Sequence, residues 1–431
     1  MGFYFYVPMD YTDVYLLKHG FRPQIAEEPH PRLNLCIVIP CYNEFDLLIS
    51  LQSIWNCTRP QMAVEVIVVV NSPENCASDI LERNKITLQE ASLWVNNHFD
   101  QTLRFRIIHR PDLPAKFAGV GLARKIGMDE AAYRLNLVNN KEGIIAGFDA
   151  DAVCAPNYLV EVENHFKVNK KTSGASIYYE HPMSGITFDD TIYAGVCLYE
   201  LHLRYINQAL RYAKHPHSYH TVGSSFAVRM DAYVKQGGMN KRQAGEDFYF
   251  LQKIIALGNF SEINTTLIVP SPRESDRVPF GTGASMKRWK TEGVLKTYHL
   301  KAFDDIKALI RFVDQFFESA PENVPVILAT LSIAMRDYLR MNDFENELKS
   351  IVANSASLNT FRDRFFRWFN AFRVVKFLNF SHEKQYEKSE IVEEAKTLAK
   401  RIEAQTNGNE VKELLELYRK LDKSGFGVIS Q

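Results

Sequence analysis

The sequence predicts an α/β region built on a mainly parallel sheet, followed by an all-helical region. Three observations carry that expectation. Short apolar runs recur between helical stretches, and each run is apolar on both faces, as strands covered on two sides are. Glycine is uneven: of 21 glycines, only Gly408, Gly425 and Gly427 lie beyond residue 300. Proline behaves alike, since Pro321 and Pro325 alone of 17 fall there. A turn-rich region followed by a turn-poor one reads as α/β and then helices. The chain divides accordingly into an arm (1–32), an α/β domain (33–300) and a helical domain (301–431).

The elements follow in order. Leu33–Pro40 is a buried strand and Glu44–Trp55 a helix. Val64–Val70 is the next strand, Ile80–Phe99 a helix and Phe105–His109 a strand. Leu122–Leu137 is a helix, and Ile144–Phe148 is an apolar run that ends on Asp149. Beyond residue 300, breaks at Pro321–Pro325, Asn354–Asn359, Asn379–His382 and Asn407–Asn409 predict five or six helices.

The chain carries 51 Lys+Arg against 51 Asp+Glu. A neutral protein has no global field to gather polyanions, so no nucleic-acid partner is expected. With 46% apolar residues it is not a disordered chain. No apolar window reaches the length of a membrane span, and the opening MGFYFYVPMDYTD has no signal-peptide pattern. A soluble, cytoplasmic chain is the expectation. Six cysteines without CxxC spacing read as reduced thiols.

Ligands of parallel sheets bind at the carboxyl ends of strands, so the polar residues there are the candidates. The first strand end reads Ile39-Pro40-Cys41-Tyr42-Asn43-Glu44, and the second Val70-Asn71-Ser72-Pro73. Lys116 leads into Gly119-Val120-Gly121-Leu122-Ala123-Arg124, whose cations suit a diphosphate. Asp149-Ala150-Asp151 offers two hard oxygen donors for Mg2+ or Mn2+. Glu246-Asp247 opens a helix, where acids also stabilise the helix dipole.

This set, in this order and spacing, resembles the family 2 glycosyltransferases over about residues 33–300. Its carriers are Ile39–Glu44, Gly121–Gly127, Asp149–Asp151, the Gly223–Arg229 segment and Glu246-Asp247. The resemblance implies a GT-A fold, a Rossmann-like nucleotide-diphospho-sugar transferase architecture. It also implies transfer of a sugar, from a UDP-sugar foremost, to an acceptor hydroxyl with inversion. Pro40, Tyr42, Glu44, Asn71, Lys116, Arg124, Asp149 and Arg288 would hold the nucleotide-sugar. Asp149 and Asp151 would hold Mn2+ or Mg2+. Asp247 would be the general base, with Glu246, Gly223 and Trp289 at a carbohydrate or lipid-linked acceptor. Two departures stand out. Asn71-Ser72-Pro73 replaces the usual pair of acids followed by Gly-Ser, and Ser285 replaces the glutamine of the Gln-x-x-Arg-Trp motif of processive members. The alternatives are a retaining transferase on a small acceptor, a sugar-nucleotide pyrophosphorylase and an inactive sugar-nucleotide-binding module. The pyrophosphorylase predicts a GxGxR loop where Cys41–Glu44 stands, and the inactive module predicts loss of the carboxylates.

Three further segments carry weighed expectations. Arg273–Gly283 is either a closing loop or a fixed turn. Arg204, Arg211, Lys214, His215, His217 and His220 form either a solvated helix face or an anion-binding one. Phe361–Phe380 reads as one basic amphipathic helix, with Arg362, Arg364, Arg367, Arg373 and Lys376 against Asp363. Its aromatic face either packs on protein or makes a peripheral contact with an anionic membrane.

Overall fold

The computed structural model describes residues 10–274, 281–319, 321–404 and 410–424, leaving aside the side chains of Arg288 and Pro321. The chain forms two compact units. The first comprises residues up to Pro182, Thr221–Ser271 and the stretch ending at Gly281; the second comprises Met183–His220, Pro272–Glu274 and Thr282 onward.

The first unit is α/β. In chain order it has α1 (Tyr11–Lys18), β1 (Leu33–Cys41), α2 (Leu47–Trp55), β2 (Ala63–Pro73), α3 (Ser78–Asn97), β3 (Leu103–Leu113), α4 (Val120–Leu137) and β4 (Ile144–Gly147). There follow β5 (Val153–Cys154), α5 (Tyr158–Val168) and β6 (Gly174–Tyr179); α6 (Asp190–Tyr212) belongs to the second unit. The first unit then resumes with β7 (Phe226–Arg229), α7 (Met230–Lys235), α8 (Glu246–Ile255) and β8 (Ser261–Val269). The eight strands make one sheet in the order β3-β2-β1-β4-β7-β6-β8-β5. β1, β2, β3 and β4 pair in parallel, as the apolar runs of β1, β2 and β4 predict; β3, at the sheet edge, interleaves cations with its apolar residues. The sheet is mainly parallel, as expected, with two exceptions: β5 runs antiparallel to β8, and β7 to both β4 and β6. That direction matters for the site. Gly147, the last residue of β4, pairs with Phe226, the first of β7, so the Gly223–Ser225 turn arrives where β4 ends.

α4 packs close to the sheet because Gly127 has no side chain: a Cβ there would lie 2.4 Å from Val38 Cγ1. The N-terminal arm is more than a connector. Tyr15 on α1 donates from its hydroxyl to Asp129 Oδ1 (2.8 Å) and accepts from Lys125 Nζ (2.8 Å), both on α4.

The second unit is helical and reaches back before residue 301. Cys197, Leu201, Tyr205 and Ala209 of α6 share one core with Phe303, Ile306, Phe365, Leu398 and Tyr418. It contains α9 (Thr282–Glu292), α10 (Leu300–Arg311), α11 (Val313–Glu318), α12 (Val324–Ala329), α13 (Ile333–Met341), α14 (Phe344–Ala353), α15 (Leu358–Trp368), α16 (Ala371–Lys384), α17 (Ile391–Arg401) and α18 (Val411–Lys423). Nine of these helices start at or after Leu300, against the five or six expected. The expected breaks at Pro321–Pro325 and Asn354–Asn359 overlap the starts of α12 and α15, Asn379–His382 lies inside α16, and Asn407–Asn409 lies outside the described residues.

Phe361–Phe380 is two helices rather than one. Asn370 ends the run, because its Oδ1 accepts from the backbone N–H groups of Phe372 (3.0 Å) and Arg373 (3.3 Å) and so caps α16. Phe361, Phe365, Trp368 and Phe369 are all in the core of this unit, so the aromatic face packs on protein. No helix among the described residues is long and apolar enough to cross a membrane.

The cationic stretch of α6 is not a solvated face. Arg204 is wholly buried and donates to Glu200 Oε1 (2.8 Å) and Asp422 Oδ2 (2.5 Å). Arg419 makes two further bonds to Glu200, and His220 Nε2 lies 2.9 Å from Asp422. Burial works against the Asp422 charge, but His220 and Arg204 hold its carboxyl well below the usual carboxylate range.

Candidate active site

Four segments of the first unit converge at one guanidinium. Arg124, in the second turn of α4, has a side chain only 2% exposed. Its Nη2 donates to Asp149 Oδ1 (2.8 Å), just beyond β4, and its Nη1 donates to Glu246 Oε1, the first residue of α8. Gly223 lies against both partners of the pair: a Cβ there would sit 2.9 Å from Arg124 Nη1 and Nη2, and 3.1 Å from Asp247 Oδ2. Local structure explains the convergence. Gly245, with φ 68°, turns the chain into α8, so Glu246 and Asp247 occupy its first turn, where acids favour the helix dipole. Gly121 lets α4 approach, since a Cβ there would meet the Arg242 carbonyl oxygen at 2.1 Å and Glu246 Cβ at 3.0 Å.

The electrostatics are those of carboxylates gathered around one buried cation. Burial pushes the Glu246 carboxyl up to about 7, against the downward pull of Arg124, with the charges of Asp247 and Asp149 adding to the rise. Asp247 is raised for the same first reason, while Arg124 and the backbone N–H groups of Phe248 and Gly223 pull it down. Burial disfavours the Arg124 charge, yet the charges of Glu246, Asp149 and Asp247 raise it overall.

Asp149 and Asp151 lie on one short turn, and both are partly exposed. Ser50, on α2, fixes that turn by donating from Oγ to the carbonyl oxygens of Ala150 (2.9 Å) and Ala152 (2.6 Å). Nothing in the sequence marks this serine, which sits among the leucines of an apolar helix. Among the described residues no group of three or more His, Cys, Asp or Glu side chains is gathered for a metal. Two partly exposed carboxylates fit a hard divalent cation that completes its shell with phosphate oxygens and water.

Other expected ligand residues take different places. Arg124 is buried, and both of its terminal nitrogens donate to carboxylates, those of Asp149 and Glu246. Glu44 is 1% exposed, and its Oε1 accepts from the N–H groups of Phe45 (2.9 Å) and Asp46 (3.1 Å), which holds the turn into α2. Asn71 is 3% exposed, and its Nδ2 donates to the carbonyl oxygens of Cys41 (2.9 Å) and Val69 (3.3 Å). Its side chain ties the ends of β1 and β2 together. Pro40 and Tyr42 remain partly exposed at the end of β1, with Tyr42 Oη 4.0 Å from Cys76 Sγ. Lys116 is exposed beside the Phe117 ring, 5.4 Å from its centroid, and no hydrogen bond or ion pair joins it to the Arg124 cluster. Trp289 belongs to the helical unit, where its Nε1 donates to the Thr191 carbonyl (3.1 Å) and its ring covers Gly195. Within the Arg273–Gly283 segment, residues 275–280 lie outside the described residues, as does the side chain of Arg288.

Gly223→Ala tests how tight this geometry is. The new methyl must displace a guanidinium pinned by two carboxylates, so the expected result is loss of most activity with a fold close to native. A crystal structure and turnover measured together check this; native turnover would show that the guanidinium can yield.

A family model described as Glycosyl transferase family 2 matches residues 36–237. No curated protein matches the chain. Among solved structures, S. aureus TarS 1–349 aligns at 13% identity and TM-score 0.39, covering 82% of this chain and 93% of that one. TarS 1–349 in complex with UDP-GlcNAc gives 13% and 0.39, with 91% of each chain covered. The mannosyltransferase PcManGT from Pyrobaculum calidifontis, in complex with GDP-Man and Mn2+, gives 13% and 0.37, covering 87% of this chain and 93% of that one. The stretch matched by the Glycosyl transferase family 2 model, residues 36–237, runs from within β1 to just past α7 and contains the parallel pairings of the sheet and the Asp149 strand end.

Proposed function

We propose that the protein transfers a sugar from a nucleoside diphosphate donor to an acceptor hydroxyl with inversion, using Asp247 as general base. The observation that carries this reading is the cluster at Arg124. A glycosyltransferase family 2 domain presents a carboxylate at a strand end and another pair at a helix start, held by one buried cation. Asp149 and Asp151 are the residues that would hold a divalent cation, Mn2+ or Mg2+. When bound, that cation would supply Lewis acidity toward the leaving diphosphate.

This chain's own residues then do the following. Asp247 accepts the proton of the acceptor hydroxyl as its oxygen attacks the anomeric carbon. Withdrawal from water raises the basicity of Asp247 above that of an ordinary aspartate, which suits a base working near neutrality. Arg124 is a positioning residue: it keeps Asp149 and Glu246 in register and tempers the rise in the Asp247 and Glu246 carboxyls. Gly223 leaves space beside Asp247 and turns its N–H toward that carboxylate. Pro40 and Tyr42, partly exposed at the end of β1, would face the nucleoside.

A screen of UDP-, GDP- and dTDP-sugars by thermal shift with Mn2+ tests the donor class, and no shift with any of them overturns the reading. Asp151→Ala is expected to abolish the Mn2+-dependent part of nucleotide binding. Calorimetry with and without the cation measures it, and an unchanged affinity removes Asp151 from the cation site. Product configuration by NMR decides inversion against retention.

A further inference from the structure

Two thiols meet beside the Asp149–Asp151 turn and take no part in the proposed transfer. Cys57 follows α2 and Cys154 ends β5, 97 positions apart in sequence, yet their sulfurs are 3.6 Å apart. Cys57 is 3% exposed and Cys154 partly exposed. Both are held in place. Cys57 Sγ donates to the carbonyl oxygens of Ser53 (3.4 Å) and Ala155 (3.5 Å), and Ser53 Oγ accepts from the Cys154 N–H at 3.4 Å. The hydrogen bond with Cys154 also lowers the Cys57 thiol below its ordinary value, against the effect of burial. Lowering favours the thiolate, the reacting form.

We infer that Cys57 and Cys154 form a reversible dithiol–disulfide modification site, oxidised by hydrogen peroxide, whose closure shifts the turn bearing Asp149 and Asp151. The chemistry balances. The Cys57 thiolate attacks one peroxide oxygen, the O–O bond breaks, and a sulfenic acid forms with release of hydroxide. The sulfur of Cys154 then attacks the sulfenyl sulfur, the S–O bond breaks, and a disulfide forms. The hydroxide that leaves as the S–O bond breaks takes the Cys154 proton, and the earlier hydroxide takes the proton that Cys57 gave up, so two thiols are oxidised and one peroxide becomes two waters. Exchange with an external dithiol restores both thiols. A small oxidant suits the site because Cys57 is nearly closed to solvent.

Closure has a structural consequence. A disulfide requires about 2.05 Å between sulfurs, so the two sulfurs must close from the present 3.6 Å, by side-chain rotation together with a shift of the segments that carry them. The same helix grips the turn through Ser50 at 2.9 and 2.6 Å, which leaves little slack between the thiols and Asp151. The effect of closure on transfer rests on the function proposed above; the modification itself does not.

The test treats the reduced full-length chain with hydrogen peroxide, alkylates the remaining thiols and maps peptides by mass spectrometry. The expected result is loss of two of the six free thiols, a Cys57–Cys154 cross-linked peptide, and recovery of both thiols with dithiothreitol. Hydrogen exchange over residues 148–155 is expected to change on oxidation and return on reduction. Cys154→Ser, at the more exposed position, should abolish the cross-link and leave a sulfenic acid on Cys57 that dimedone traps once the oxidised chain is unfolded in its presence. Thiols at 57 and 154 that stay alkylatable, or that pass to sulfinic acid without a cross-link, overturn the site. A disulfide that leaves exchange unchanged overturns its coupling to the turn. Absence of UDP and GDP binding in both redox states would count against the proposed transfer and leave these mass and exchange criteria as they are.

Discussion

Asp247→Asn is expected to lower turnover about 10²–10⁴-fold while donor binding stays close to native. The amide keeps the volume of the carboxylate and can still accept from the N–H groups that Asp247 now engages, so the start of α8 should hold. It cannot take the acceptor proton. Turnover and calorimetric donor affinity, measured on one preparation, separate the two effects. Full turnover in the variant removes Asp247 as the base. The acid limb of the native rate profile should also lie above that of an ordinary aspartate, because withdrawal from water raises this carboxyl.

Arg124→Met is expected to destabilise the fold by about 3–5 kcal/mol at neutral pH, the usual cost of removing one partner from a buried ion pair. Methionine keeps much of the side-chain volume, so the loss reports charge rather than a cavity. Asp149, Glu246 and Asp247 would then confront one another without a cation. The pH dependence has a definite sign. Glu246 titrates near 7 in the folded chain, above the ordinary 4.5 of the unfolded one, so the folded state holds the extra proton between those values. Its contribution is therefore complete below about 4.5 and is lost as pH rises through 7. Without Arg124, which pulls this carboxyl down, protonation becomes easier still. The variant should regain part of its deficit at pH 5 relative to pH 8. Urea unfolding at both values checks this, and an equal deficit at both would show that the carboxylates escape to solvent.

Much of this architecture is legible in the sequence because burial writes periodicity. Leu33–Pro40, Val64–Val70 and Ile144–Phe148 are apolar on both faces, and each is a buried strand with at least one parallel neighbour. The order of Arg124, Asp149, Gly223 and Glu246-Asp247 identified the segments that meet, since strand ends and helix starts place polar residues at one edge of a sheet. What periodicity cannot give is the partner. Arg124 reads in the sequence as a cation for a diphosphate, and the structure pairs it with two carboxylates that the sequence does not name as its partners, because a cation in a helix looks the same whichever anion it finds. Glu44 and Asn71 turned inward for a related reason: a polar side chain at a strand end can satisfy either a ligand or the backbone groups the strand leaves behind. The antiparallel course of β7 had no signal, since four residues of Phe-Ala-Val-Arg carry no direction. Within Phe361–Phe380, a helical wheel treats Asn370 as one more polar position, whereas its short amide caps a new helix.

The membership of α6 in the helical unit has a consequence during synthesis. Its apolar face, including Leu201 and Tyr205, is translated before its partners on α10, α17 and α18. At ordinary elongation rates of about 5–20 residues per second, the stretch from Tyr212 to Leu300 alone takes roughly 4–18 s. Throughout that time β7 must find β4 and β6 while the intervening helix stays unsheltered. Only the last helix, with Tyr418 in the core and Asp422 beside Arg204, completes its burial. A ribosome that stalls anywhere in the final third therefore leaves a helix with an uncovered apolar stripe and a naked Arg204–Glu200 pair, the kind of nascent chain that holding chaperones engage.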